Sequence, residues 1–161
     1  MKIQQVKLEE PRLENQEVTQ IFNDKIILFL VIAIILIFIV NFLKKLKRKQ
    51  RTEKKLKDKV KTDWLEILDI SKKEGDIYKK MAIIEADKLL DNTLKRMGTP
   101  GSTMAQRLKY ITQKYPKLKP VWEAHKIRNL ISHESNFELY KRTSSKCMYL
   151  YENAFKVLGI L

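Results

Sequence analysis

Both histidines of the chain fall within one stretch of fourteen residues, Trp122 to Ser135, which reads WEAHKIRNLISHES. On a helix turning about 100° per residue, Arg128, Ser132, His125, Asn129 and His133 share an arc of roughly 140°. Ala124, Ile127, Leu130 and Ile131 fall on the opposite side. The arc carries two imidazoles, a guanidinium, an amide and a hydroxyl, whereas an ordinary wetted face carries mostly Lys and Glu. Imidazole gives or takes a proton near neutral pH, and a planar guanidinium suits phosphate oxygens. The plain alternative is a solvated helix face with two incidental histidines, and amphipathicity taken alone favours it.

Other chemistries find less support. The two histidines are eight residues apart with Glu134 beside the second, which matches no usual zinc arrangement. Cys147 is the only cysteine, so no internal disulfide can form and a reducing compartment fits. No nucleophile elbow is visible for a Ser-His-Asp hydrolase. Gly98-Thr99-Pro100-Gly101 lacks the spacing, the Lys and the preceding strand of a phosphate loop, and reads as a turn between helices. No metal or cofactor is expected.

The elements that must position the histidine stretch read as helices throughout. With four Gly and four Pro in 161 residues, a turn-rich β fold is disfavoured, and no alternating run suggests a strand. Leu56, Val60, Trp64 and Ile67 keep helical spacing into a first helix that stops at Lys72–Gly75. Asp76 is placed to cap a second helix to about Met97, with Ile83, Ala86, Leu90, Leu94 and Met97 on its apolar face. Ser102 is placed to cap a third, Thr103 to Tyr115. Pro116 and Pro120 bracket a turn, a fourth helix runs from about Val121 to Glu134, and a fifth from about Phe137 to Leu158. Along the fifth, Tyr140, Cys147, Leu150, Ala154 and Leu158 mark the apolar face. The three acids of the second helix, Glu85, Asp87 and Asp91, could face the fourth and hold Arg128, though ordinary solvated acids fit the pattern better.

Ahead of these helices lies IILFLVIAIILIFIVNFL, residues 26–43, eighteen positions with no charge. As a helix it spans about 27 Å, close to the roughly 30 Å hydrocarbon core of a bilayer. The remaining chain is too small to bury such a helix on every side, and no small-residue cleavage site follows it, as a signal peptide would require. A single transmembrane helix over 25–44 is therefore expected. Residues 44–61 carry eleven bases and two acids. Because Lys and Arg mark the cytoplasmic side, the reading is a single pass through the cell membrane with the N-terminus outside and the C-terminal domain cytoplasmic. Residues 1–24 would form a short external, disordered tail, 45–60 a basic juxtamembrane helix or linker, and 61–161 the folded domain. The basic run fits a topology signal and solvated linker, and it can also attract anionic membrane lipid or, less readily, nucleic acid. The expected architecture is all-α: one transmembrane helix followed by a small cytoplasmic bundle of four or five helices.

Arg128-Asn129-Leu130-Ile131-Ser132-His133 resembles the R-x4–6-H motif of HEPN domains, with a polar residue directly after the Arg. The resemblance extends over roughly Asp76 to Leu158, with a long second helix, a short third, the motif-bearing fourth and a long closing helix. Active members of that family are metal-independent endoribonucleases. The resemblance thus implies His133 as proton-transfer group, Arg128 as the cation stabilising phosphoryl oxygens, and Asn129 as the residue orienting them. His125 lies one turn before Arg128, outside the motif, and reads either as a helper to it or, with the better fit, as a structural or surface histidine. On an unbroken helix Arg128 and His133 stand about 140° apart. Either the helix loosens near Ser132, or two subunits of a homodimer bring their motifs together. The expected function is a membrane-anchored HEPN-like domain acting on RNA. The alternative is a non-catalytic HEPN-like module that dimerises or binds an unidentified protein partner at the membrane. A third reading is an anchor whose basic segment recognises lipid.

Overall fold

In the computed structural model, which describes residues 12–134 and 136–161, every regular element is helical. These are α1 (Arg12–Lys72), α2 (Asp76–Arg96), α3 (Met104–Lys114), a short 3-10 turn (Pro116–Leu118), α4 (Val121–His133) and α5 (Lys141–Val157). The protein is all-α, as its composition and periodicity require. The chain divides into two units, Met1–Arg51 and Thr52–Leu161.

In the first unit, α1 is long and apolar enough to cross a membrane, and its apolar side chains from Ile26 to Leu43 are exposed apart from half-covered Ala33. A helix apolar all round has no polar face to offer water. α1 starts at Arg12, so residues 12–24 are helical where a disordered tail was expected. The reason is local, because no Gly or Pro interrupts the chain between Pro11 and Gly75, and nothing stops the helix from extending in either direction. Residues 1–11 of that expected tail lie outside the described residues.

In the second unit, the bundle is built from amphipathic stripes. The end of α1 contributes Val60, Trp64 and Ile67, with Leu56 packed beside them. The stretch 45–60, read as a juxtamembrane helix or linker, is helix, and the core begins inside it because Leu56 and Val60 continue the same helical spacing as Trp64. From α2 come Ile83, Ala86, Leu90 and Leu94, all essentially sealed, whereas Met97 lies beyond the helix end and is exposed. α2, α4 and α5 pack on one another, and α3 lies against α2. Trp64 meets Phe155 of α5 with ring centroids 5.3 Å apart at a tilt of 58°, an aromatic contact of the favoured inclined kind.

The turn chemistry differs from expectation in three places. Asp76 is the first residue of α2 and its N-cap is Gly75 at φ +108°, a conformation that glycine adopts at little cost. Thr103, not Ser102, caps α3, accepting the Gln106 N–H on its side chain. Gln106 sits three positions past Thr103, and its side-chain oxygen reaches back to accept from both the N–H and hydroxyl of Ser102. α5 begins at Lys141 and not at Phe137, because a non-helical segment, 137–140, first tucks Leu139 into the core. Tyr140, expected on the apolar face of α5, is consequently its N-cap and 70% exposed.

Gly101 closes the turn into α3 at φ +136°, and a Cβ there would stand 2.8 Å from the Arg107 backbone nitrogen. Gly101→Ala is therefore expected to cost about 1–3 kcal/mol through backbone strain. Chemical denaturation of the two chains side by side measures this, and equal midpoints would contradict the turn geometry.

Candidate functional site

The site grows from an acid placed where apolar residues belong. Asp87 lies one turn after Ile83 and three residues before Leu90, within the buried stripe of α2, and is 3% exposed. A carboxylate removed from water needs hydrogen bonds and opposite charge to persist. Three side chains from two other helices supply them. His125 of α4 brings Nδ1 to 2.8 Å from Asp87 Oδ1. The hydroxyl of Tyr151, on α5 and fully buried, donates to the same oxygen at 3.0 Å. The guanidinium Nε of Arg128, also on α4, stands 3.5 Å from Asp87 Oδ2.

The network continues along α4. Asn129 Nδ2 lies 3.4 Å from His125 Nε2, and Arg128 Nη1 donates to Asn129 Oδ1 at 3.2 Å. Trp122 covers the imidazole edge-on, with centroids 5.9 Å apart and planes at 76°. Burial, and then the charge of Asp87, push the Tyr151 phenol well above its ordinary range, so its hydroxyl remains a donor.

The residues picked from the sequence are thus divided. Arg128 and Asn129 are half-buried members of the network, while His133, the last residue of α4, and Ser132 are exposed. α4 is continuous through His133, so it does not loosen near Ser132. Arg128 and His133 of one chain keep their helical separation of about 140°. The arc expected to be a uniform polar face is not one. His125 is 6% exposed although it shares that arc, while Ile127, Leu130 and Ile131 opposite are half-buried. Packing of α4 against both α2 and α5 encloses its first two turns on two sides and leaves its last turn outside.

The acids of α2 also separate. Asp87 faces the motif, Asp91 pairs with Arg107 of α3, and Glu85 makes an exposed ion pair with Lys88. Glu85 is thus the ordinary solvated acid that the pattern favoured, whereas Asp87 and Asp91 are not. The signal for Asp87 was its four-residue spacing from Ile83. Tyr151 was missed altogether, although it lies four residues after Cys147 and three before Ala154 on the apolar face of α5.

Two arginines of the bundle differ in a way that bears on function. Arg107 is 7% exposed on its side chain, grips Asp91 with Nε at 2.7 Å and Nη2 at 3.0 Å, and gives Nη1 to the Gly101 carbonyl. Every edge of its fork is used to join α2 and α3. Arg128 is 32% exposed and meets Asp87 only through the long 3.5 Å contact, its buried Nε making no hydrogen bond. It is held by charge from behind while about a third of its side chain stays open to solvent.

Cys147 takes no part in this cluster. It is buried on the apolar face of α5, and burial first, with Glu123 adding to it, raises its thiol to about 11. An unfolded thiol ionises near 9.0, so the folded state holds the proton more tightly. That contribution to stability is complete below pH 9 and is lost as pH rises through about 11. The expected result is an alkaline loss of stability in the wild type that exceeds that of Cys147→Ala, read from denaturation midpoints at pH 8 and 11.

Among the described residues no group of three or more His, Cys, Asp or Glu side chains is placed to hold a metal ion. No family model matches the chain, and no curated protein or solved structure matches it.

Proposed function

We propose that this chain is a membrane-anchored, HEPN-like, metal-independent endoribonuclease whose reacting groups are Arg128 and His133, with Asn129 as their neighbour. The observation that carries the reading is the contrast between the two arginines. Arg107 is consumed by structure, whereas Arg128 stands beside a buried acid with its side chain one third exposed, an arrangement that suits an anion-binding guanidinium. Exposed His133 supplies the imidazole for proton transfer.

The reaction is attack of a ribose 2′-hydroxyl on its own phosphodiester. A bond forms between the 2′-oxygen and phosphorus, the bond from phosphorus to the 5′-oxygen breaks, and the proton passes from the nucleophile toward the leaving group. The products are a 2′,3′-cyclic phosphate and a 5′-hydroxyl. His133 moves protons, and Arg128 meets the negative charge that grows on the phosphoryl oxygens. Because one unbroken helix separates the two residues, the working site takes Arg128 from one subunit and His133 from the other in a symmetric homodimer. The run of bases from Lys44 to Lys61 supports a cytoplasmic position for the domain in this reading, since Lys and Arg favour that side and attract anionic lipid.

A second reading, a non-catalytic module that dimerises or recruits a protein partner, is favoured by the contact between Arg128 and Asp87, which gives that arginine a structural task. The full chain in lipid nanodiscs, incubated with mixed RNA in EDTA, separates the two. Cleavage leaving cyclic phosphate ends supports the enzyme. A folded, dimeric chain that leaves RNA intact rules it out in favour of the module.

A further inference from the structure

The polar contacts around Asp87 close into a ring, and its chemistry assigns roles to two residues outside the motif. A carboxylate only accepts, so His125 Nδ1, at 2.8 Å from Asp87 Oδ1, carries the proton. In the neutral imidazole Nε2 is then an acceptor. The Asn129 Nδ2 group 3.4 Å away must donate to it, which turns Asn129 Oδ1 outward, where it accepts from Arg128 Nη1 at 3.2 Å. Arg128 returns to the start through its 3.5 Å contact with Asp87 Oδ2. Each member has one orientation consistent with all the others. Reversing the imidazole proton would face a donor with the Asn129 amide. Flipping that amide would then set its NH2 against a guanidinium.

We infer that Asp87 and His125 are positioning residues: through the proton on Nδ1 they set the amide of Asn129, and through that amide they set the open edge of Arg128. Asn129 accordingly acts on the guanidinium, since both ends of its amide are taken up within the ring. His125, although an imidazole, performs no proton transfer, being enclosed between Asp87, Asn129 and Trp122. The link to catalysis rests on the proposed ribonuclease reading, while the ring itself does not.

The chain contains only two histidines, so imidazole 15N spectra of the full protein in micelles, with His133→Ala for assignment, read His125 directly. At pH 8 the expected spectrum shows His125 locked as the Nδ1–H tautomer while exposed His133 averages both. Asn129→Asp places an acceptor against Nε2 and is expected to shift His125 toward the doubly protonated form. An averaged or Nε2–H His125 overturns the inference, as does an unchanged His125 spectrum in Asn129→Asp.

The activity arm uses conservative rescue. A glutamine at 125 can donate its amide to Asp87 and offer its carbonyl to Asn129, so His125→Gln is expected to keep kcat. His125→Leu, which breaks the ring, lowers kcat on the order of 100-fold with KM little changed. Equal loss in both variants overturns the positioning role. Should His125→Leu fail to fold, His125→Gln and the spectra still decide the matter. A chain that cuts no RNA overturns the proposed function alone and leaves the spectral result to judge the ring.

Discussion

A His133→Ala chain is expected to lose RNA cleavage by about 10²–10⁴-fold, the range that a positioned proton-transfer group supplies. Its stability should barely change, because His133 is exposed at the end of α4 and surface substitutions of that kind usually stay within about 0.5 kcal/mol. Arg128→Ala should lose activity comparably, through the missing charge at phosphorus. The decisive form of the experiment mixes the two inactive chains. In a symmetric dimer with shared sites, a mixed pair holds one dead site and one intact site. If subunits exchange freely, half the dimers are mixed, so the mixture should regain about a quarter of the wild-type rate. A mixture as inactive as its components, with exchange verified, would mean that both residues act from one chain or neither acts at all. The loss of catalysis and the retained fold are read on the same samples, by cyclic phosphate formation and by denaturation.

Asp87→Ala has the second large effect, and this one falls on stability. Asp87 is sealed from solvent and serves His125, Tyr151 and Arg128 together. Removing it leaves the buried Nδ1–H of His125 and the buried Tyr151 hydroxyl without partners and strips the buried Nε of Arg128 of its countercharge. Breaking a buried ionic cluster in this way costs about 3–5 kcal/mol. Domains of this size have only about 5–15 kcal/mol in all, so the variant should approach unfolding at ordinary temperature. Asp87→Asn is expected to be milder, because its side-chain oxygen still accepts from His125 Nδ1 and from Tyr151. Tyr151→Phe should cost about 1 kcal/mol, the loss of one hydrogen bond with the ring retained. Urea denaturation of the full chain in micelles, followed by tryptophan fluorescence, ranks the three. Trp64 and Trp122 both report on the bundle, since one packs on Phe155 and the other on His125. If Asp87→Ala matched the wild type, the cluster would not hold the three helices together.

Much of the architecture was legible along the chain because it follows from periodicity and from a few residues with strong backbone preferences. The eighteen uncharged positions from Ile26 to Leu43 define a helix with no polar face. The stripes Val60-Trp64-Ile67 and Ile83-Ala86-Leu90-Leu94 show which sides turn inward. Gly75, Gly98, Gly101, Pro116 and Pro120 mark where helices must stop. Boundaries were less legible, since Thr103 became the cap of α3 through its reach to Gln106, and Leu139 delayed the start of α5 by entering the core from a non-helical segment.

The candidate site was only half legible. Sequence alone put His125, Arg128, Asn129, Ser132 and His133 on one arc of one helix, because that needs nothing but a helical twist. Which of them are buried depends on what packs against α4, and only tertiary structure could decide it. α2 and α5 enclose its first turns, so His125 is drawn inside and bonded to Asp87, while His133 on the last turn stays in water. Asp87, His125 and Tyr151 lie 38 and 26 residues apart along the chain, and no local pattern reports that their side chains meet. Helical twist is a property of neighbours in sequence, whereas the partner of a buried charge is chosen by whichever helix the hydrophobic effect lays against it.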